Sequence, residues 1–269
     1  MNSQMILLEC RQLLRSKWLQ IVTFLFVVVF TAILMIQHLA MPDVTGFTRQ
    51  TAALLNILLF LLPLFMLTIG SMNLASDIES GWFDLLRTYP MNTLKYTVTK
   101  YIALCITFMG ITLLAISVSF FLGGIVGGVQ LPWYFILLTA IMLLIFNAIA
   151  LFVGSLSKNR LHALAIGLGI WSFVTLIFSY VVMAIGTLVA EHVLQKVVIV
   201  LMHMNPLEWI RFSYFLWSEQ TAVLGPAFYD VSAFYQTPVG IVVYCIMTIA
   251  WIILPLLGTT IILKGRGQL

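Results

Sequence analysis

Side chains able to do chemistry are few in this sequence, and they are unevenly placed. The one local group of soft-metal donors is Met202-His203-Met204 in "LMHMNP", residues 201–206. Thioether and imidazole suit Cu(I), but the spacing does not. Two positions along a helix turn the side chain by about 200°, so Met202 and Met204 would point apart. In an extended segment the two methionines would share a face and His203 would leave it. The other donors nearby, His38, Met41 and His192, are scattered, and methionine is frequent throughout, with 13 copies. No metal site is expected there. Cys10, Cys105 and Cys245 lie far apart and form neither a disulfide frame nor a zinc pattern. They are expected as buried small hydrophobes. No carboxylate pair or histidine cluster recurs at one depth. No G-x-x-x-x-G-K-S/T run occurs, so the chain has no P-loop for ATP. Any uphill work must draw on another chain.

The densest group of charges lies in "SDIESGWFDLLRTYPMNTLKY", residues 76–96. In a chain that is only 8% charged, this stretch holds Asp77, Glu79, Asp84, Arg87 and Lys95. Ser76 and Glu79 have the capping-box spacing. Ile78, Trp82, Leu85 and Leu86 recur on one helical face, with Ser80, Asp84 and Arg87 on another. Pro90 ends the pattern. The stretch predicts a short amphipathic helix over 76–89, too short to cross a bilayer. Its apolar face suits either the bilayer surface or a groove in a partner protein.

The elements that must position this helix are membrane spans. The chain is 62% hydrophobic with a mean hydropathy of +1.11, against about 45–50% apolar in ordinary soluble domains. Six apolar runs are long enough to cross a ~30 Å hydrocarbon layer: 18–38, 51–74, 100–123, 132–156, 161–184 and 239–263. The fold class is therefore all-α and integral to the membrane, one transmembrane domain over 1–269. Ten of the 13 Lys and Arg residues fall on the side of the two termini; only Arg49, Lys196 and Arg211 fall on the other. By the positive-inside rule both termini are cytoplasmic. The net charge of +4 follows from this bias and implies no nucleic-acid partner. Residues 3–15 read as an interfacial helix, with Ile6, Cys10, Leu13 and Leu14 on the apolar side and Arg11 and Arg15 on the flank. Residues 185–238 form the long extracytoplasmic segment, punctuated by Pro206, Pro226 and Pro238, with Trp209, Tyr214, Phe215 and Trp217 suited to an interfacial belt. The glycine cluster at 123–128 suits a short external turn. Ala163/Gly167 and Ala165/Gly169 are small pairs that allow helices to approach closely. No Asp, Glu, Lys or Arg falls deep within a span, which weighs against an ion-coupled carrier or a channel. Asn56, Asn73 and Asn147 read as interhelical glue.

This order of parts resembles the membrane subunits of ABC-2 type (type V) ABC transporters. The motif carrying the resemblance is an acid, then E-x-G, a leucine-rich turn, a proline and a downstream lysine: here Asp77, Glu79, Gly81, Leu85, Leu86, Pro90 and Lys100. The resemblance implies that 76–89 is a coupling helix set in a cleft of an ATPase subunit, with Asp77, Glu79, Gly81, Trp82, Leu85, Leu86 and Arg87 at the contact. It implies two ATPase copies, which bind the ATP and Mg, a permease homodimer in the cytoplasmic membrane, and no catalysis by this chain. More narrowly, "LLPLFMLTIGSMNLASDIESGWFDLLRTYPMNTLKY" and Asn205-Pro206 are similar to permeases of nitrous-oxide-reductase maturation transporters. Those pair with a periplasmic accessory protein and serve assembly of a copper–sulfur cluster, so the cargo would be a sulfur or copper species. The competing expectation is a non-transporting membrane scaffold whose 185–238 segment recruits an extracytoplasmic protein.

Overall fold

The computed structural model describes residues 3–40, 49–88, 92–124, 132–225 and 228–266, and among them every regular element is helical. Helix α1 (Ser3–Leu14) meets α2 (Lys17–Ala40) at a bend of 70°. That angle lets α1 lie along the membrane surface while α2 crosses it. The second span is longer than its apolar run. It begins as α3 (Arg49–Phe65), passes through a π-helical turn (Met66–Gly70) and continues as α4 (Ser71–Glu79). After α5 (Trp82–Arg87), the third span is α6 (Thr93–Gly124), 32 residues. At ~1.5 Å per residue it is about 48 Å long, well beyond a ~30 Å hydrocarbon layer, so it projects into the aqueous phase. The fourth span is α7 (Trp133–Leu156). The fifth is α8 (Arg160–Ser172), a second π-helical turn (Phe173–Ile177) and α9 (Phe178–Leu188). The sixth is α13 (Pro238–Gly265). The expected glycine turn falls mostly outside the described residues.

The segment after span 5 is helical where it is described. Helices α10 (Glu191–Met204) and α11 (Pro206–Trp217) form a hairpin, followed by a 3-10 turn (Thr221–Leu224) and α12 (Tyr229–Tyr235). Pro206 occupies the first turn of α11, where its missing N–H costs nothing. Trp209 does not join an interfacial belt. It is fully buried, stacked on Tyr244 at 5.0 Å and set against Phe212 and Tyr235. Its indole N–H donates to Thr248 Oγ1 at 3.1 Å, which ties α11 to the sixth span.

Span 4 is the centre of the bundle. In its most apolar stretch 61% of residues are buried, as in span 2, against 17% in span 6 and 6% in span 5. The outer spans therefore show large apolar side chains such as Tyr180, Met183, Ile246 and Ile261 to their surroundings, as expected where the solvent is lipid. Spans 2, 4 and 5 meet along a seam of small residues. A Cβ at Gly154 would stand 2.7 Å from Ser71 O, one at Gly167 2.8 Å from Leu67 O, and one at Gly70 2.9 Å from Ala150 Cβ. Ser71 Oγ donates across the seam to Ala163 O at 3.3 Å. Ala163 and Gly167 are thus used within the chain, whereas Ala165 and Gly169 face outward. Of the three expected glue residues, Asn73 and Asn147 serve within the bundle, Asn147 donating to Cys105 Sγ at 3.7 Å. Asn56 is exposed instead, and Cys245 is exposed on span 6.

The seam sets a test. Alanine is a better helix former than glycine by about 1 kcal/mol, yet Gly154→Ala and Gly167→Ala should lower thermal stability in detergent, by about 1–3 kcal/mol for the overpacking. Gly169→Ala, with nothing within 4 Å, should leave it unchanged or raised. Equal behaviour of all three variants would contradict the packing described.

Candidate coupling site

The end of the bundle where α1, span 2 and span 3 meet is organised by Lys100. Asn92 caps α6, its Oδ1 accepting from the Leu94 N–H at 3.1 Å, so the helix starts seven residues before the apolar run. Lys100 is consequently two turns inside α6 rather than at its end, and its side chain is 1% exposed. Its ammonium lies 2.7 Å from Glu9 Oε2, 2.7 Å from Asp77 Oδ2 and 3.0 Å from Asn73 Oδ1. An ammonium has three N–H donors, and here it meets three acceptors. Asn73 and Asp77 sit one turn apart on the same face of α4, while Glu9 comes from α1. Tyr96, one turn before Lys100, donates its hydroxyl to Asp77 Oδ2 at 2.6 Å. Burial pushes the Glu9 carboxyl up from its ordinary value, the Lys100 charge opposes this, and the Asp77 charge adds to it. Lys100 is the first residue of the apolar run of span 3, at the span end where the sequence places it, but hydropathy does not show that it is buried with two acids. A cation and two acids are buried together where α1, span 2 and span 3 meet.

Asp77 faces this cluster and is 5% exposed, so it points away from the surface on which a partner could dock. The helix expected over 76–89 is also broken. Span 2 does not stop at Leu74 but runs through Glu79, which places Ser76 in mid-helix and leaves no capping box at Ser76. Instead the Ser76 carbonyl accepts from the Ser80 N–H at 3.0 Å and the Ile78 carbonyl from the Gly81 N–H at 3.2 Å. Gly81 then turns left-handed, φ +73°, a conformation that favours glycine and commonly ends a helix. The chain restarts as α5, whose two faces differ. Phe83 is buried with its ring 5.2 Å from that of Tyr96, and Leu86, like Ile78 of α4, packs half-buried against the main core. Trp82 and Leu85 stand out, 45% and 51% exposed, with Asp84 also exposed. Arg87 closes the helix, and Pro90 lies outside the described residues.

Glu79 reaches sideways to span 5. Its Oε2 accepts from the Arg160 backbone N–H at 2.9 Å and lies 3.7 Å from Arg160 Nε. A carboxylate at a helix N-terminus is favourably placed, and here it belongs to the corner between α4 and α5. Span 5 is held a second time at its far half. Asn205 Nδ2 donates to Val174 O, in the second π-helical turn, at 2.9 Å, while its Oδ1 accepts from Leu207 N–H at 3.0 Å. One asparagine thus caps α11 and fastens the α10–α11 hairpin to span 5.

The soft-donor group is differently engaged. His203 has Nδ1 2.7 Å from Ile199 O and Nε2 2.6 Å from Tyr235 Oη, so both ring nitrogens are taken. Met202 is buried and Met204 exposed, on opposite sides of α10. Among the described residues, no group of three or more His, Cys, Asp or Glu could hold a metal.

Sequence reading singles out Asp77, Glu79, Gly81, Trp82, Leu85, Leu86 and Arg87, and names Lys100 and Asn205 by resemblance without their contacts; it does not foresee the parts played by Glu9, Tyr96, Phe83 and Arg160. Two signals were available. Glu9 is the only acid in an otherwise apolar and basic α1, and Asn92-Thr93 is an N-cap that moves the start of span 3 back.

Up to six apolar helical spans, a first helix bent 70° away from the second and a charged corner between spans 2 and 3 define a multi-pass helical membrane protein. The chain belongs to the ABC-2 family transporter proteins, whose family pattern it matches over residues 4–264. It is similar to the "Probable ABC transporter permease protein NosY" of Pseudomonas aeruginosa, with 26% identity over 208 residues covering 74% of this chain and 75% of that protein. It is thus a membrane permease subunit of an ABC transporter.

The buried cluster has a testable asymmetry. Lys100→Met strands two carboxylates in the interior and should destabilise the chain by about 3–5 kcal/mol, the cost of removing one partner of a buried pair. Glu9→Gln keeps an acceptor and leaves a balanced Lys100–Asp77 pair, so its effect should stay within about 1 kcal/mol, the scale of one neutral-for-charged hydrogen bond. Denaturation in detergent micelles followed by circular dichroism would measure both, and a milder effect for Lys100→Met than for Glu9→Gln would refute the assignment.

Proposed function

We propose that this chain transmits ATP-driven motion from a separate ATPase subunit, docked at α5, to its own outer face for export or extracytoplasmic delivery of a cargo. The observation that carries the reading is the two-sided α5. Phe83 and Leu86 anchor it to the bundle, while Trp82 and Leu85 remain uncovered beside Glu79 and Gly81. A two-turn helix with aromatic and aliphatic anchors facing outward suits a groove on a partner. Force applied there would reach Lys100 through Phe83 and Tyr96, and span 5 through Glu79. The permease would act as a homodimer, with two ATPases holding ATP and Mg. Both termini would lie on the ATPase side. An extracytoplasmic accessory protein would meet the outer hairpin, and a sulfur or copper species is the cargo suggested by similarity to NosY-type permeases.

In this reading the contact residues are Trp82, Leu85 and Glu79, with Leu86 behind them, and Asp77 acts from the interior as a positioning residue. Trp82→Asp and Leu85→Asp should each abolish co-purification of the ATPase while the permease keeps its elution profile, since both side chains are exposed. Gly81→Val forces a left-handed conformation on a β-branched residue, about 1–2 kcal/mol of strain, and should lower coupled ATP hydrolysis even where the ATPase is retained. Full ATPase recovery and normal turnover with both aspartate variants would remove α5 as the docking element.

A further inference from the structure

A groove of about 590 Å³ runs between α1, α2 and α6, lined by Leu14, Phe24, Ile106, Gly110, Ile111 and Leu114 among others. Its polar lining groups all turn inward on the backbone. Thr23 Oγ1 donates to Leu19 O at 2.8 Å, Thr107 Oγ1 to Ala103 O at 2.8 Å, Cys10 Sγ to Ala103 O at 3.7 Å and Gln20 Nε2 to Leu14 O at 3.3 Å. Apart from the exposed amide of Gln20 at its rim, the wall therefore offers mainly hydrocarbon contacts, so an acyl chain suits it better than water. Gly110 gives the groove its depth: it is exposed, and a Cβ there would meet nothing within 4 Å.

The charge around the 70° bend is one-signed. Arg11, Arg15 and Lys17 are all exposed, and among the described residues none of them takes part in an ion pair. Glu9, the sole acid of α1, is withdrawn to Lys100. Three exposed cations thus stand in the segment around the bend that also supplies Cys10, Leu14 and Gln20 to the groove wall. From this combination we infer a binding site for one anionic phospholipid, its acyl chain along Phe24, Ile106, Gly110 and Leu114 and its phosphate among Arg11, Arg15 and Lys17. Basic residues at the membrane surface attract anionic headgroups by about 1 kcal/mol each, and the groove adds the chain contacts that convert attraction into a site. The site depends on α1 lying in the headgroup layer, and not on ATPase docking at α5.

The test uses the full chain purified in detergent and equilibrated with equal phosphatidylcholine and phosphatidylglycerol, with retained lipid counted by native mass spectrometry. The wild type should keep phosphatidylglycerol in preference to phosphatidylcholine. Substituting Arg11→Gln, Arg15→Gln and Lys17→Gln should reduce that preference about five-fold per cation removed, the equivalent of about 1 kcal/mol each. Gly110→Phe should fill the groove and lose both lipids, while ATPase co-purification is unchanged. Retention of phosphatidylglycerol by Gly110→Phe at the wild-type level would overturn the inference, as would an undiminished preference in the triple variant. A change of oligomeric state in Gly110→Phe would assign the groove to a second copy of the chain instead.

Discussion

A buried ammonium in a helical membrane bundle is tolerable only if every one of its protons has an acceptor, and that requirement organises the end of this protein at which α1, span 2 and span 3 meet. Lys100 can be satisfied only when α1, the end of span 2 and the start of span 3 stand together, because its acceptors come from the first two of these elements. The cluster holds one more acid than base, and Glu9 keeps its proton more tightly as a result of burial. Buried ionic groups of this kind are weak evidence for net stability but a strong restriction on alternative arrangements. Here the arrangement restricted is the angle at which α1 and the corner at Gly81 leave the bundle.

Elsewhere the same rule acts through the backbone. Two spans contain π-helical turns, which are frequent at functional positions in helices, and each turn is matched by a neighbour. Beside the first, Gly154 and Gly167 let spans 4 and 5 press against main-chain oxygens of Leu67 and Ser71. At the second, the Val174 carbonyl is taken by Asn205 from the α10–α11 hairpin. Span 5 buries little surface of its own, so its position rests heavily on these few polar fastenings and on Glu79 at its start. The two sides of the membrane are thus tied to a single lightly packed helix.

Much of the architecture is legible in the sequence because lipid imposes a simple pattern: apolar runs of fixed length, basic ends, small residues where helices touch. The break at Gly81 was harder, since Ile78, Trp82, Leu85 and Leu86 do share a face if the helix is continuous, and only the left-handed glycine separates them. Lys100 was placed at a helix end because hydropathy marks where apolar residues begin, whereas Asn92 marks where the helix begins. Trp209 suggested an interfacial belt by residue type alone. Its burial depends on Tyr235 and Tyr244, which arrive from far along the chain and leave no local trace. The candidate contacts at Trp82 and Leu85 were visible, while the inward role of Asp77 required knowing which side of α4 meets α6.

The Glu9–Lys100 pair also dictates an order of assembly. Its two members are 91 positions apart, so a ribosome must complete two spans and begin the third before the acid of α1 has this counter-charge. Docking of α1 against Lys100 therefore cannot precede synthesis of the start of span 3.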